Sequence, residues 1–211
     1  MIKLILADDH AMLRDGLRTK FQACDDIEVV GEAENGEQLR RLLKTEPVDV
    51  IILDIKMPDT NGISLMTHIK ASNPSCRCVI LTMYDHVRYA LHALESGADG
   101  FVVKGSPFQE LVQAVRDVHR GQTYISASMA PKLADRLRKK DKKDVSLDAL
   151  SQREFEVFTL LSSGLSVKEA ASQIGISEKT VTTYRARLME KMNLSNKADL
   201  IRVALESGLL E

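Results

Sequence analysis

Through the first 120 residues, short apolar runs alternate with longer amphipathic stretches. The runs at 2–7, 28–33, 48–53, 77–82 and 100–103 have strand length, and several are apolar at consecutive positions, as expected of strands covered by helices on both faces. Five strands alternating with helices predict an α/β unit, a doubly wound, five-stranded parallel sheet. In the intervening segments, Asn35 with Gln38 three residues on reads as a helix start. So does Ser106, followed by Pro107 at the first helical position and Gln109 placed to close a capping box. The last helix of this half, about 108–120, gathers Leu111, Val112, Val115 and Val118 on one face and stops at Gly121.

From residue 122 the pattern changes. A short helix fits 126–138, after which Lys139-Lys140-Asp141-Lys142-Lys143-Asp144 has almost nothing to bury and reads as a solvated tether, with direct contact to nucleic-acid phosphates as the alternative. Beyond Leu150, helical periodicity returns in four segments. Ser151 and Ser166 each stand three residues before a glutamate in capping-box spacing, Gly164 ends the first helix, Ser177 caps the third to about Met192, and a fourth begins near Ser195 or Asn196. The expected division is 1–121, a linker over 122–148, and an all-α four-helix unit over 149–211.

A chain of 211 residues with 44% hydrophobic and 28% charged residues fits two compact units joined by a linker. The longest apolar runs, such as Val50-Ile51-Ile52-Leu53 and Cys78-Val79-Ile80-Leu81, fall far short of a membrane span, and the N-terminus carries no signal-peptide pattern. The expectation is a cytoplasmic protein without a membrane partner. Three cysteines, Cys24, Cys76 and Cys78, match no metal-ligand spacing and read as reduced thiols at or near the core. The net charge of −1 conceals a basic linker: residues 132–144 carry seven Lys/Arg against three Asp/Glu, whereas 149–211 carry eight of each. A neutral helical unit is unusual for a nucleic-acid binder until its charges are placed on particular helices.

In a doubly wound sheet, ligands bind beyond the carboxyl ends of the strands. Asp8 and Asp9 follow the first strand, Asp54 the third and Lys104 the fifth, while Thr82 ends the fourth. Three converging carboxylates repel unless a cation neutralises them, and an all-oxygen site suits Mg²⁺. Lys104 and the Thr82 hydroxyl then supply positive charge and a donor for a phosphoryl group on a carboxylate nucleophile. Singly, each residue is a weak signal, since Asp8 or Asp9 alone fits a helix N-cap.

The segments Ala7-Asp8-Asp9-His10, Leu53-Asp54-Ile55-Lys56-Met57-Pro58-Asp59-Thr60-Asn61-Gly62, Leu81-Thr82 and Gly97-Ala98-Asp99-Gly100-Phe101-Val102-Val103-Lys104 resemble a two-component receiver domain over roughly residues 2–120. The resemblance implies a flavodoxin-like fold and Asp54 as acceptor of a phosphoryl group from a sensor histidine kinase. It further implies Mg²⁺ held by Asp9, Asp54 and the Lys56 backbone carbonyl, with Asp8 acting mainly through water. Thr82 and Phe101, with Lys104, would relay the phosphorylated state to the face made by the fourth helix, the fifth strand and the fifth helix. Departures from the family pattern are Gly105 after the lysine, and Lys56 and Tyr84 two residues beyond Asp54 and Thr82, where they bear on access of hydrolytic water.

Over 167–186 the small Ala171, the turn residue Gly175 and the apolar Val181 have helix-turn-helix spacing. Leu150-Ser151-Gln152-Arg153-Glu154, the run from Gly164 to Ala171 and that from Ile176 through Met192 resemble the LuxR-type output domain. With the receiver, the chain is similar to the NarL/FixJ class of response regulators. By that resemblance the third helix enters the major groove of double-stranded DNA and the fourth, through Leu200, Val203 and Ala204, forms a homodimer contact on activation. Thr182, Thr183 and Ala186 are the base-edge positions. Lys168, Lys179, Tyr184, Arg185 and Arg187 suit phosphates or bases, and Thr180 is a further DNA-binding position in the same stretch. Lys179, Arg185, Arg187 and Lys191 make this helix locally basic against Glu178 and Glu190. RNA polymerase is a further candidate partner.

Two other readings compete. A phosphotransferase with an aspartate nucleophile would use the same acidic cluster, but it calls for an acid-base aspartate where Lys56 stands, and for a substrate-covering cap. A receiver with an RNA- or protein-binding output differs in whether the 149–211 unit binds duplex DNA with strong salt dependence. The resemblance makes the chain a phosphoacceptor regulator, not an enzyme with its own substrate turnover.

Overall fold

The computed structural model describes residues 1–138, 147–207 and 209; the expected charged tether at 139–144 lies outside them. The chain divides into two compact units, Met1–Ala134 and Asp135–Glu211.

In the first unit, β1 (Ile2–Ala7), β2 (Ile27–Ala33), β3 (Val50–Leu53), β6 (Arg77–Thr82), β7 (Gly100–Val103) and β8 (Tyr124–Ile125) form one sheet in the order β2-β1-β3-β6-β7-β8. Every pairing in it is parallel. Helices α1 (Ala11–Phe21), α2 (Gly36–Thr45), α3 (Gly62–Ser72), α4 (Val87–Glu95) and α5 (Phe108–His119) connect the strands. Alternation along the strands sends Leu4, Leu6, Val50, Ile52, Val79 and Leu81 into a core completed by Leu17 and Phe21 of α1 and Leu111, Val115 and Val118 of α5. The intervening Ile5, Ile51 and Ile80 are also fully buried. Both faces are therefore covered, which explains why several strands are apolar at consecutive positions.

Three local features depart from expectation. The sheet has a sixth strand: β8 pairs with β7 at Gly100 and Phe101, inside the stretch read as linker. Two residues of edge strand are too short to leave a periodicity. Residues after β3 form a small antiparallel hairpin, β4 (Lys56–Met57) with β5 (Thr60–Asn61). Ser106 does not cap α5. Its amide instead closes a turn onto the Val103 carbonyl at 2.9 Å, and Pro107 is the capping residue, with no side-chain bond. By contrast, Asn35 Oδ1 accepts from the Gln38 amide at 2.9 Å, while Gln38 Oε1 accepts from the Glu34 amide.

Helix α6 spans Ala130–Arg138, four residues later in its start than expected. After a 3₁₀ turn at Leu147–Ala149, the second unit is built from α7 (Gln152–Ser162), α8 (Val167–Ile174), α9 (Glu178–Lys191) and α10 (Lys197–Glu206). Capping boxes close at both Ser151–Glu154 and Ser166–Glu169, and Ser177 and Asn196 cap the other two helices. Gly175 ends α8 at φ 69°, a left-handed conformation that turns the chain sharply into α9. The α9 helix packs on both α7 and α8 through Val181 and Leu188. Among the described residues, no helix is long and apolar enough to cross a membrane.

Candidate functional site

The ends of β1, β3, β6 and β7 bring Asp8, Asp54, Thr82 and Lys104 together. Parallel pairing in register sets Ala7 opposite Leu53 and Thr82 opposite Val103, so the residues that follow emerge at one edge. Lys104 Nζ donates to Asp54 Oδ2 at 2.6 Å and lies 2.8 Å from Asp8 Oδ2, its side chain only 5% exposed. Asp54 and Thr82 are buried as well, and Phe101 is wholly enclosed one strand away.

Burial is the dominant force on Asp54. It pushes the carboxyl up to about 6, against the opposing pull of Lys104 and of a hydrogen bond from the Lys56 amide. Burial also works against the charge on Lys104, but Asp54 and Asp8 outweigh it and hold the ammonium above its ordinary range. Lys56 itself is exposed, as is part of Asp9. The ring of Tyr84 stacks on Tyr89 with centroids 4.2 Å apart, and its amide donates to Thr82 Oγ1 at 3.3 Å. Burial first, then the charge of Asp54, raises the Tyr84 phenol.

These groups suit a divalent cation. Carboxylate oxygens of Asp8, Asp9 and Asp54 and a ring nitrogen of His10 all lie within 4.8 Å of one another. Asp8 Oδ2 is buried and receives no aligned hydrogen bond despite its nearness to Lys104. A hard oxygen donor left over in a buried cluster is what a Mg²⁺ ion or its water would satisfy. Neither aspartate caps α1: Asp8 Oδ1 instead accepts from the His10 amide, and His10 precedes the helix without a side-chain bond to its first-turn amides.

Sequence reasoning passed over three residues that shape this site. His10 Nδ1 sits 2.9 Å from Asp8 Oδ1 and 2.8 Å from Asp9 Oδ1. Asn61 Oδ1 caps α3 by accepting from the Ile63 amide. Gly62 lies directly against the Asp54 backbone, where an added Cβ would be 2.0 Å from the Asp54 carbonyl oxygen. Their adjacency to Asp9 and their place in the Asp54 segment were visible; the contacts depend on how the hairpin folds.

In the second unit, α9 exposes Lys179, Thr182, Thr183, Arg185, Ala186 and Arg187, with Thr180 and Tyr184 half-buried and Lys168 exposed on α8. Thr182 and Thr183 donate their hydroxyl protons to the carbonyls of Glu178 and Lys179 at 2.9 and 3.0 Å. What each leaves for a partner is a methyl group and acceptor lone pairs. Lys191 is a correction to the charge count on this helix: its ammonium donates to the buried Glu154 at 2.6 Å, so it belongs to the domain's own framework. On α10, Leu200 and Ala204 are 1% and 0% exposed and pack within the domain. They are therefore not surface contacts, and the apolar surface that helix leaves accessible includes the exposed Leu205 with the half-buried Ile201 and Val203.

Burial raises the Glu154 carboxyl, but Lys191 together with the Ser151 amide and hydroxyl more than offsets this and holds it below its usual range. The stabilisation is present above the unfolded value and is lost as pH falls through the depressed one. Lys191→Met should leave Glu154 buried without its cation and destabilise the helical unit by about 2–3 kcal/mol. Thermal melts at pH 7 and near pH 4 would show the loss shrinking at the lower pH; an equal loss at both would contradict this account.

Residues 4–116 match the model of the response regulator receiver domain, and residues 148–204 match that of the bacterial regulatory proteins of the luxR family. The oxygen regulatory protein NreC of Staphylococcus carnosus is 36% identical across the full length of both chains. The response regulator UvrY of Escherichia coli is 32% identical over 99% of this chain and 96% of its own. Among solved structures, the response regulator RcsB of Salmonella typhimurium superposes with a TM-score of 0.80 at 27% identity, covering 98% of each chain. RcsB of Salmonella enterica bound to the rprA promoter in the presence of the phosphomimetic BeF₃⁻ gives 0.77 at 27% identity, over 96% of this chain and 98% of that one. With both domain models matched in order and relatives alike end to end, the chain belongs to the NarL/FixJ class of response regulators, a receiver domain followed by a LuxR-type helix-turn-helix DNA-binding domain.

Proposed function

We propose that Asp54 is the phosphoacceptor of this regulator, that its phosphorylation by a sensor histidine kinase requires Mg²⁺, and that the phosphorylated chain dimerises on paired DNA half-sites. The observation that carries this reading is the buried Lys104 ammonium, spanning Asp54 and Asp8 at 2.6 and 2.8 Å. An Asp54 carboxylate oxygen forms a bond to phosphorus as the donor's phosphorus–nitrogen bond breaks. Asp9, Asp54 and the Lys56 carbonyl would hold Mg²⁺, with Asp8 acting through water; when bound, the ion neutralises the phosphoryl oxygens. Lys104 neutralises further charge, and the Thr82 hydroxyl donates to the phosphoryl group. That attraction shifts the population of receiver states through Thr82 and Phe101.

Output then runs through α9 in the major groove, with Thr182, Thr183 and Ala186 at base edges. Lys168, Lys179, Tyr184, Arg185 and Arg187 serve phosphates or bases, and Thr180, joined to Ser177 at 2.8 Å, secures the first turn. Val203 and Leu205 of α10, with the half-buried Ile201, are apolar positions left for a homodimer contact. The site of action is the cytoplasm, and RNA polymerase is the remaining candidate partner.

Acyl-phosphate treatment should raise the affinity of the full chain for its promoter DNA and shift its mass toward the dimer, whereas Asp54→Asn should respond in neither respect. Unchanged affinity and unchanged mass in the treated wild type would refute the proposal. Lys56 and Tyr84 flank the path of hydrolytic water, so Lys56→Ala and Tyr84→Ala should each shorten the phosphoryl half-life about threefold, roughly 0.7 kcal/mol of barrier. Half-lives equal to wild type would remove them from that role.

A further inference from the structure

Helix α2 is capped twice, and the second cap comes from far along the chain. Asn35 accepts from the Gln38 amide at 2.9 Å. Asp59, at the tip of the hairpin that follows Asp54, accepts from the Gly36 amide at 2.7 Å and the Glu37 amide at 3.0 Å. A carboxylate on the first two amides of a helix is favoured by both the unpaired donors and the helix dipole. The seat is close-fitting, since a Cβ on Gly36 would lie 2.6 Å from Thr60 Cγ2 and 3.3 Å from Asp59 Oδ1.

The hairpin held at its tip by Asp59 carries working groups at its base. Lys56 pairs with Asn61 and Met57 with Thr60. The Lys56 peptide lies two residues beyond Asp54, Asn61 caps α3, and the Gly62 amide returns to the Ile55 carbonyl at 2.8 Å. Met57 and Thr60 at the outer end of this ladder are buried, and the Asp59 carboxylate adds a polar anchor to their packing. We propose that Asp59 is a positioning residue for the acceptor site: by anchoring the hairpin to α2, it sets the Lys56 peptide, whose carbonyl is assigned to Mg²⁺. This inference rests on the reading of Asp54 as a Mg²⁺-dependent phosphoacceptor.

Reciprocity follows from linkage. If the anchor favours the metal-binding form of the hairpin, occupation of the site favours the anchor and protects the first turn of α2 by the same factor. The chain then has a thermodynamic connection from the acceptor loop to a helix that contributes no residue to the site.

Mg²⁺ binding to the full chain, followed by titration calorimetry, separates positioning from mere helix capping. Asp59→Ala and Asn35→Ala each remove a cap from α2, and both should lower the melting temperature. Only Asp59→Ala should weaken Mg²⁺ binding, by about tenfold, the range seen when an outer-shell partner of a metal site is lost. Asp59→Asn, which keeps one acceptor oxygen, should fall between it and wild type; it serves as the test if Asp59→Ala does not fold. Amide exchange at Gly36 and Glu37 should slow on adding Mg²⁺ with beryllofluoride in wild type and in Asn35→Ala, but not in Asp59→Ala. Unaltered Mg²⁺ affinity in both Asp59 variants, or an equal loss in Asn35→Ala, would overturn the proposal. A wild type that binds no Mg²⁺ would overturn the phosphoacceptor reading and this one with it.

Discussion

Gly62→Ala is expected to lower the melting temperature of the receiver by roughly 10 °C and to abolish its response to Mg²⁺ with beryllofluoride. The new Cβ would sit 2.0 Å from the Asp54 carbonyl oxygen, 2.9 Å from its carbonyl carbon and 3.0 Å from the Ile55 Cα. All three are backbone atoms, so no rotamer change relieves the overlap. The Gly62 amide bonds to Ile55 at 2.8 Å and prevents the helix start from backing away. Overpacking of this kind costs about 3 kcal/mol or more, well beyond the ~1 kcal/mol that alanine gains over glycine in a helix. Gly16→Ala is the control, because nothing lies within 4 Å of a Cβ there and the residue is in exposed α1. It should be neutral or slightly stabilising. Equal behaviour of the two variants in a thermal melt would disprove the steric account.

Asp54→Asn should have the opposite effect on stability while eliminating phosphoryl uptake. Burial pushes the folded-state carboxyl up to about 6, above its ordinary value of 3.8. Below the lower value both folded and unfolded chains carry the proton and no cost arises; the cost grows as pH rises through the higher value and is complete beyond it. Metal-free wild type therefore loses stability from about pH 4 to 7 on account of this group, and the asparagine variant does not. The difference at neutral pH should be on the order of 2 kcal/mol in favour of Asp54→Asn, with Lys104 still beside Asp8. Mg²⁺ should stabilise wild type and leave the variant largely unaffected. A metal-free wild type that is more stable than Asp54→Asn at pH 7 would contradict the account.

The parts of the fold that repeat along the chain were the parts legible in it. Consecutive apolar residues marked the central strands because burial on both faces requires them, and serine with glutamate at three-residue spacing marked α7 and α8 because that geometry is local. The acidic cluster was legible for a related reason: in a parallel sheet, the residue after each strand must arrive at the same edge. What escaped was decided by contacts across sequence distance. β8 depends on the open side of β7, Asp59 reaches back to α2 over more than twenty positions, and Lys191 is claimed by Glu154 from another helix. Leu200 and Ala204 illustrate the same limit, since an apolar stripe does not say which of its members the domain keeps for itself.

The ion pair between Lys191 and Glu154 bears on how the protein would meet DNA. It fastens the last turn of α9 to α7, while Val181 and Leu188 hold the middle of the helix against its neighbours. The orientation of the reading helix is thus settled during folding, and the associated loss of conformational entropy does not fall on the encounter with the duplex. Association of such a preformed element should show a heat-capacity change close to that of the interface alone, without the larger signature of a segment that orders on binding.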